Sequence, residues 1–326
     1  MKKGFNALVL LFVVTNLSAQ LVWQNVDSLF QPLPKTVHVF YTDTKADTAP
    51  FRAYYVIADL KDKKTDFTAD TTYKRRLTPI QFYEKNYKPL LVVNCTFFSF
   101  ETNQNLNVVI KEGEQLSYNR QSMQGKGRDS LHYWHFFRSA IGISKKGKSD
   151  IVWVYSDSSD KYAHHSQVPL HNYKDEFSDA KFPKSFTDTL DGREVLIKQY
   201  FPDWKVRTAV GGGPVLLQKG EIRITNEEEM MFTGKAINDK HPRTAMGYTK
   251  DNKLIILVVE GRNPTASGAT LTPEAQLLKD LGCWEALNLD GGGSSCLLIN
   301  GKETIKPSDK SGQRPVPAVF IIRTNK

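Results

Sequence analysis

Cysteine is scarce in this chain: there are three in 326 residues, Cys95, Cys283 and Cys296. Three cannot all pair within one chain, so this is no disulfide-built scaffold, and their spacing excludes a zinc ribbon. At most one bridge forms; Cys283 with Cys296 is a pair that position permits without requiring. Long apolar runs are missing beyond the N-terminus, so no later segment is fit to cross a bilayer as a helix. No His-Glu-x-x-His motif, EF-hand ligand pattern or Gly-x-Ser-x-Gly elbow occurs. That removes the usual sequence signs of a zinc protease, a calcium switch and a serine hydrolase. Neither a basic arm nor a nucleic-acid fold signature is present, so nucleic acid is not an expected partner. No metal or cofactor is expected, with a structural Ca²⁺ near the acidic corners left open.

What is present begins with an export signal. MKKGFNALVLLFVVTNLSAQ places Lys2 and Lys3 before an apolar stretch over 5–14 and a small-residue exit, Leu17-Ser18-Ala19. That pattern predicts a secretory signal peptide over 1–19 and a mature chain from Gln20, periplasmic, extracellular or at the cell surface. The formal charge is +9 and falls by two when Lys2 and Lys3 leave. A basic surface suits anionic substrates such as phosphodiesters or acidic glycans; a plain solubility bias reads the same on charge alone. Residues 20–326 are enough for one large core and are read as a single domain.

Strands outnumber helices in the pattern. Runs at 36–41, 51–58, 90–94 and 151–155 read as strands. Thr78-Pro79 starts a short helix with Thr as N-cap, and Ile80, Tyr83 and Tyr87 fall on one face of it. Residues 157–205 are polar and aperiodic, with His164, His165 and His171, and read as a long loop or small insertion over one mouth of the domain. The last third is the most regular. Hairpins are expected around Lys219-Gly220 and Asp251-Asn252, and the unbroken apolar run 254–259 reads as a central strand covered on both faces. A helix is expected from Thr272-Pro273-Glu274, burying Leu271, Ala275, Leu278 and Leu281 and stopped by Gly282. A strand running to Asp290, a short strand at 296–299, an Asn300-Gly301 turn and a last strand at 318–322 complete the reading. Short connections and many strands predict an α+β fold, a mixed and largely antiparallel sheet system with a few flanking helices.

Five strand-like runs end in a polar or glycine-rich corner: Asn94-Cys95-Thr96-Phe97-Phe98, Gly211-Gly212-Gly213-Pro214, His241-Pro242-Arg243-Thr244, Glu260-Gly261-Arg262, and Asp290-Gly291-Gly292-Gly293-Ser294-Ser295. Five are more than turn chemistry needs, and strand ends are where a rigid sheet can hold exposed chemistry. The last is the most informative. One acid beside several unshielded backbone donors suits an anionic ligand or a developing oxyanion. Taken alone, the same glycines also describe a tight turn between strands.

In their order and spacing these segments resemble the phosphodiester glycosidase family over roughly residues 90–325, most densely from 207 to 299. Two departures stand out: Cys95 where the family usually has Gly, and Glu260 where it usually has Asp. The resemblance implies a secreted glycoside hydrolase that cleaves the C1–oxygen bond of a sugar-1-phosphodiester in a glycan, lipid or wall polymer. On that reading Asp290 acts at C1 as nucleophile or as base for water, Glu260 is a second acid or the structural partner of Arg262, and Arg243 clamps the phosphate. Arg262 and Arg207 are further clamp candidates. Asn94, Thr244, Gly212, Gly213, Gly291, Gly292, Gly293, Ser294 and Ser295 are expected to contact substrate. Trp134, Phe136, Phe137 and Trp204 are either sugar-stacking or core residues. Two other readings stay open: a non-catalytic glycan-binding or envelope protein on the same fold, and a serine hydrolase using Ser294 or Ser295.

Overall fold

The computed structural model describes residues 21–46, 49–180, 185–190, 193–198 and 201–325, and the expected signal peptide lies outside them. Three antiparallel sheets form the body. The first has eight strands, with Ala53–Asp59, Lys253–Val259, Arg243–Thr249 and Cys283–Asn288 at its centre. The second has five, with Leu91–Asn94 between Leu297–Ile299 and Ala318–Thr324. The third has six, with Arg138–Ile143 between Ser149–Tyr155 and Thr208–Gly211. The α+β class and its antiparallel character follow as the strand-rich pattern predicts.

The apolar run at the centre of the first sheet shows why it is central. Leu254, Ile256 and Val258 join a cluster with Leu91, Val93, Phe320, Ile141 and Trp153, which fills the space among the three sheets. Ile255, Leu257 and Val259 point the other way, against Ala275 and Leu278 of the helix α2 (Leu271–Asp280). A strand with apolar residues at both parities can only be covered on both faces. Each fully buried Leu or Ile of this kind contributes about 2 kcal/mol relative to exposure. Helix α2 begins slightly earlier than read: Thr270 is its N-cap, and Gly282 at φ +84° ends it. The hairpins around Lys219-Gly220 and Asp251-Asn252 form at the expected places.

One expectation needs correction. Helix α1 (Pro79–Lys85) has the full capping box of Thr78 and Gln81, but its buried face is Phe82 rather than Ile80 and Tyr87. The helix is too short to continue the face, and Tyr87 lies beyond it in the left-handed region, 94% exposed. Of the two readings of residues 157–205, the strands set aside the long loop and leave the small insertion: His164–Ser166 pairs with Ser149–Tyr155, Tyr173–Asp175 pairs with Tyr133–His135, and Ser185–Leu190 pairs with Arg193–Lys198. Cys95, Cys283 and Cys296 are all free and buried.

Candidate active site

The five corners meet at one rim. Antiparallel register carries them there: Arg243 pairs with Val259, Ala245 with Asn288, and Val215 with Leu287. The joins are backbone hydrogen bonds of 2.8 Å. Asp290 N–H donates to Cys95 O, Leu289 N–H to Thr244 O, Gly292 N–H to Pro242 O, and Gly213 N–H to Asn288 O.

Beneath Asp290 lies a buried polar clip. Asn94 Nδ2 donates to Asp290 O at 2.5 Å, and Asn94 Oδ1 accepts from Thr244 Oγ1 at 2.9 Å and from Cys296 N–H at 3.0 Å. The Ser295 hydroxyl is 3.2 Å from Thr244 Oγ1. Asn94, Thr244 and Ser295 are all buried. They fix where the Asp290 backbone sits, and their polar atoms face one another rather than solvent. The amides read as ligand donors at Gly212 and Gly213 are likewise engaged, with Ser139 O at 3.0 Å and Asn288 O at 2.8 Å. Glu229, fully buried, holds that glycine corner from below. Its carboxylate accepts from Ser139 N–H, Ser139 Oγ, Trp153 Nε1, Val215 N–H and Thr225 Oγ1. A Cβ at Gly213 would come within 2.4 Å of Glu229 Oε2.

Asp290 itself is only partly covered. Desolvation pushes its carboxyl up to about 7, against the pull of the Ser294 hydroxyl, the Arg314 guanidinium and the Gly291 N–H. Two arginines lie over the glycine turn that follows. The Arg262 guanidinium lies 3.1 Å from where a Cβ on Gly292 would be, and Arg314 Nη2 is 2.1 Å from the corresponding point on Gly293. Side chains here would displace both cations, so the glycines give room for arginine. Arg314 is held in a fork by Asp309, Nε to Oδ2 at 2.7 Å and Nη2 to Oδ1 at 2.9 Å. Exposed Arg262 donates from Nη2 to His241 Nδ1 at 3.1 Å. A guanidinium can only donate, so Nδ1 carries no proton and His241 is neutral in this contact. Burial, Arg262 and Arg243 all press its pKa down in the same sense.

The other two charged residues of the sequence reading are turned elsewhere. Arg243 is 3% exposed and points toward α2: Nε donates to Ala269 O at 2.9 Å and lies 4.0 Å from Glu274 Oε2. Burial lowers the Arg243 pKa and raises that of Glu274 to about 8. Glu260 is 1% exposed and satisfied by the protein, accepting from Asn263 Nδ2 and Lys306 N–H at 3.0 Å each and from Arg52 Nη1 at 3.5 Å. Its ion-pair partner is thus Arg52, not Arg262. Arg207 is spent on Glu112 and Asp66, beside a separate hollow of about 400 Å³. Phe136, Phe137 and Trp204 are core residues. Among the described residues, no three His, Cys, Asp or Glu side chains gather as a metal site.

Comparison with known proteins agrees with the recurring motifs. Residues 171–323 match the family model for phosphodiester glycosidase. A 102-residue segment is 32% identical to the N-acetylglucosamine-1-phosphodiester alpha-N-acetylglucosaminidase of Mus musculus, and a 79-residue segment is 42% identical to the SPbeta prophage-derived uncharacterized protein YomE of Bacillus subtilis. These matches make the C-terminal part of the chain, a little under half of it, similar to the phosphodiester glycosidase family. The matched segments are 29% and 24% of this chain and only 20% and 12% of those relatives, so they span a small part of each. The fold extends further. The catalytic domain of the zebrafish N-acetylglucosamine-1-phosphodiester alpha-N-acetylglucosaminidase, auto-inhibited by its pro-peptide, superposes with a TM-score of 0.58 at 21% identity, covering 93% of this chain and 88% of that one. A hypothetical protein from Synechocystis gives 0.62 at 13% identity, covering 89% and 62%. At those identities the likeness is one of fold.

Arg314, Asp309 and His241 were not singled out from the sequence. His241 sat inside a recognised corner. Arg314 had no local signal at all, because it reaches the glycine turn only through the fold.

Proposed function

We propose that this chain is an exported hydrolase that cleaves the C1–oxygen bond of a sugar-1-phosphodiester. The observation that carries the reading is a partly open carboxyl, raised to about 7, beside a glycine turn roofed by Arg262 and Arg314. Phosphate is a good leaving group, so the reaction needs a base or nucleophile at C1 and a cation on the phosphate more than it needs an acid. Ionised Asp290 takes the first role, directly or by deprotonating water. Arg262 and Arg314 take the second, since guanidinium groups match phosphate oxygens. Asp309 keeps Arg314 in place. The bond that forms joins water oxygen to C1; the electrons of the broken C1–O bond leave with the phosphate as a monoester anion.

Hydrolysis in heavy-oxygen water tests the break point. Label in the released sugar supports the assignment, and label in the phosphate makes the protein a phosphodiesterase instead. A second reading, glycan binding without turnover, draws on Glu260: with its carboxylate satisfied internally, Asp290 lacks an open acidic companion on that corner. Tight binding with no product after long incubation would favour it.

A further inference from the structure

Beyond Arg314 the rim continues as a band of rings and cations. Arg314 Cζ lies 5.4 Å from the Phe100 ring, and on the same ring Arg76 Cζ lies at 5.3 Å. Arg76 also covers Phe98, whose ring centre is 4.8 Å from that of Phe100. Phe100 is 64% exposed, so it is no core residue. The chain before Arg76 then leads to a hollow of about 300 Å³, whose lining includes Tyr73, Lys74, Asn105, Leu116 and Tyr118 and has no acidic side chain. Tyr73 is 78% exposed. Among the described residues Lys74, Arg75 and Arg76 have no ion-pair partner.

The hollow is tied to the Asp290 corner. Asn105 on its wall accepts from Thr96 Oγ1 at 2.5 Å and pairs across a bridge with Phe98. Thr96 follows Cys95, whose carbonyl holds Asp290 N–H. Scattered exposed rings are ordinary on a protein surface. Rings alternating with uncompensated cations, on a track that starts at the phosphate-side arginine and ends in a preformed hollow, suit a ligand that itself alternates rings and negative charge.

We infer that this track is an extended subsite for the leaving-group side of the substrate, and that the substrate is a chain of sugars joined through phosphodiesters rather than one sugar on a small aglycone. The inference rests on the proposed reaction for its direction: Arg314 holds the phosphate, so what lies past it receives the leaving group. Tyr73, Phe100 and Tyr118 stack on successive sugar rings, and Lys74, Arg75 and Arg76 meet the phosphates between them. Past Arg314, every ring and cation of the track lies outside residues 171–323, the part matched by the family model, so that chemistry belongs to this chain's own N-terminal half.

The test is binding to the turnover-deficient Asp290→Ala protein, with two probes: a six-unit hexose oligomer linked through 1-phosphodiesters, and the methyl phosphodiester of the single hexose-1-phosphate. The oligomer should bind about tenfold or more tightly. The double variant Tyr73→Ala/Tyr118→Ala, on an exposed surface where folding is not at stake, should erase that advantage and leave the single unit's affinity unchanged. Lys74→Ser/Arg75→Ser should flatten the salt dependence of oligomer binding only. Equal or undetectable affinity for both probes, or an advantage that survives the tyrosine variant, overturns the subsite. Because the readout is binding, failure of the wild-type protein to hydrolyse either probe counts against the proposed reaction alone.

Discussion

Asp290 and Glu260 stand on the same rim, each at the end of a strand of the same sheet, yet they have been built for different ends. Glu260 has donors on both oxygens: an amide side chain, a backbone N–H and an arginine. Asp290 is desolvated without being saturated and keeps a view of solvent, so its proton is held to about pH 7. The contrast teaches that an acid at a strand end becomes reactive through the donors it is denied. A carboxylate whose lone pairs are all used by the protein is a structural part wherever it lies.

Four measurements put that contrast at risk. The largest effect is expected from Asp290→Ala, which should lower kcat/KM by about a thousandfold or more while the melting temperature at neutral pH does not fall, because burial already opposes ionisation of that carboxyl. Comparable turnover in that variant would sink the assignment. Next, Glu260→Gln should cost about 2–3 kcal/mol in urea unfolding, because an amide cannot accept on both sides, while kcat/KM of the folded protein stays within about threefold. A large kinetic loss in a stable Glu260→Gln protein would reverse the two roles. Third, Arg262→Ala should raise KM about tenfold with no loss of stability, since the side chain is exposed and, among the described residues, hydrogen-bonds His241 alone.

The smallest effect is in the pH dependence. The Asp290 pKa is raised on folding, from 3.8 to about 7, so the folded chain binds that proton more tightly than the unfolded chain. Its contribution to stability is therefore full below the lower value and is lost as pH climbs through the interval. Glu274, raised to about 8, acts in the same direction over a slightly higher range. Other groups titrate in the same range, among them Asp150, which burial raises to about 6, so the Asp290 part is the difference between two curves: in urea unfolding at stepped pH, Asp290→Ala should lose less stability than the wild type between about pH 4 and 7. Turnover should run the opposite way, rising with pH toward 7 as the carboxyl ionises.

The frame of the molecule could be read from the chain because its signals are local. The two-sided apolar run 254–259, the Lys219-Gly220 turn and the Thr78-Pro79 cap each carry their own geometry. Helix α1 misled because a face drawn through Ile80, Tyr83 and Tyr87 assumes more turns than Pro79–Lys85 contains. The short strands within 157–205 have too few residues for a period to show. At the site, the five corners and their meeting were legible as glycine-rich strand ends. What each side chain touches was not. Arg243 looked like a clamp because it sits beside Thr244, but strand alternation turns it to the α2 face while Thr244 faces Asn94. Arg314 was invisible because its link to Gly293 is tertiary, with no motif around it.

The three thiols offer a practical dividend. Each is unbridged and sealed in the core, and burial pushes Cys95 and Cys283 up to about 12 and raises Cys296 as well. Alkylating reagents attack the thiolate, so the native protein should resist iodoacetamide and tolerate strong reductants unchanged. Any labelling would then report a molecule that has opened, and because Cys283 lies in a strand of the first sheet and Cys95 just past a strand of the second, the order in which they react would time which layer parts first.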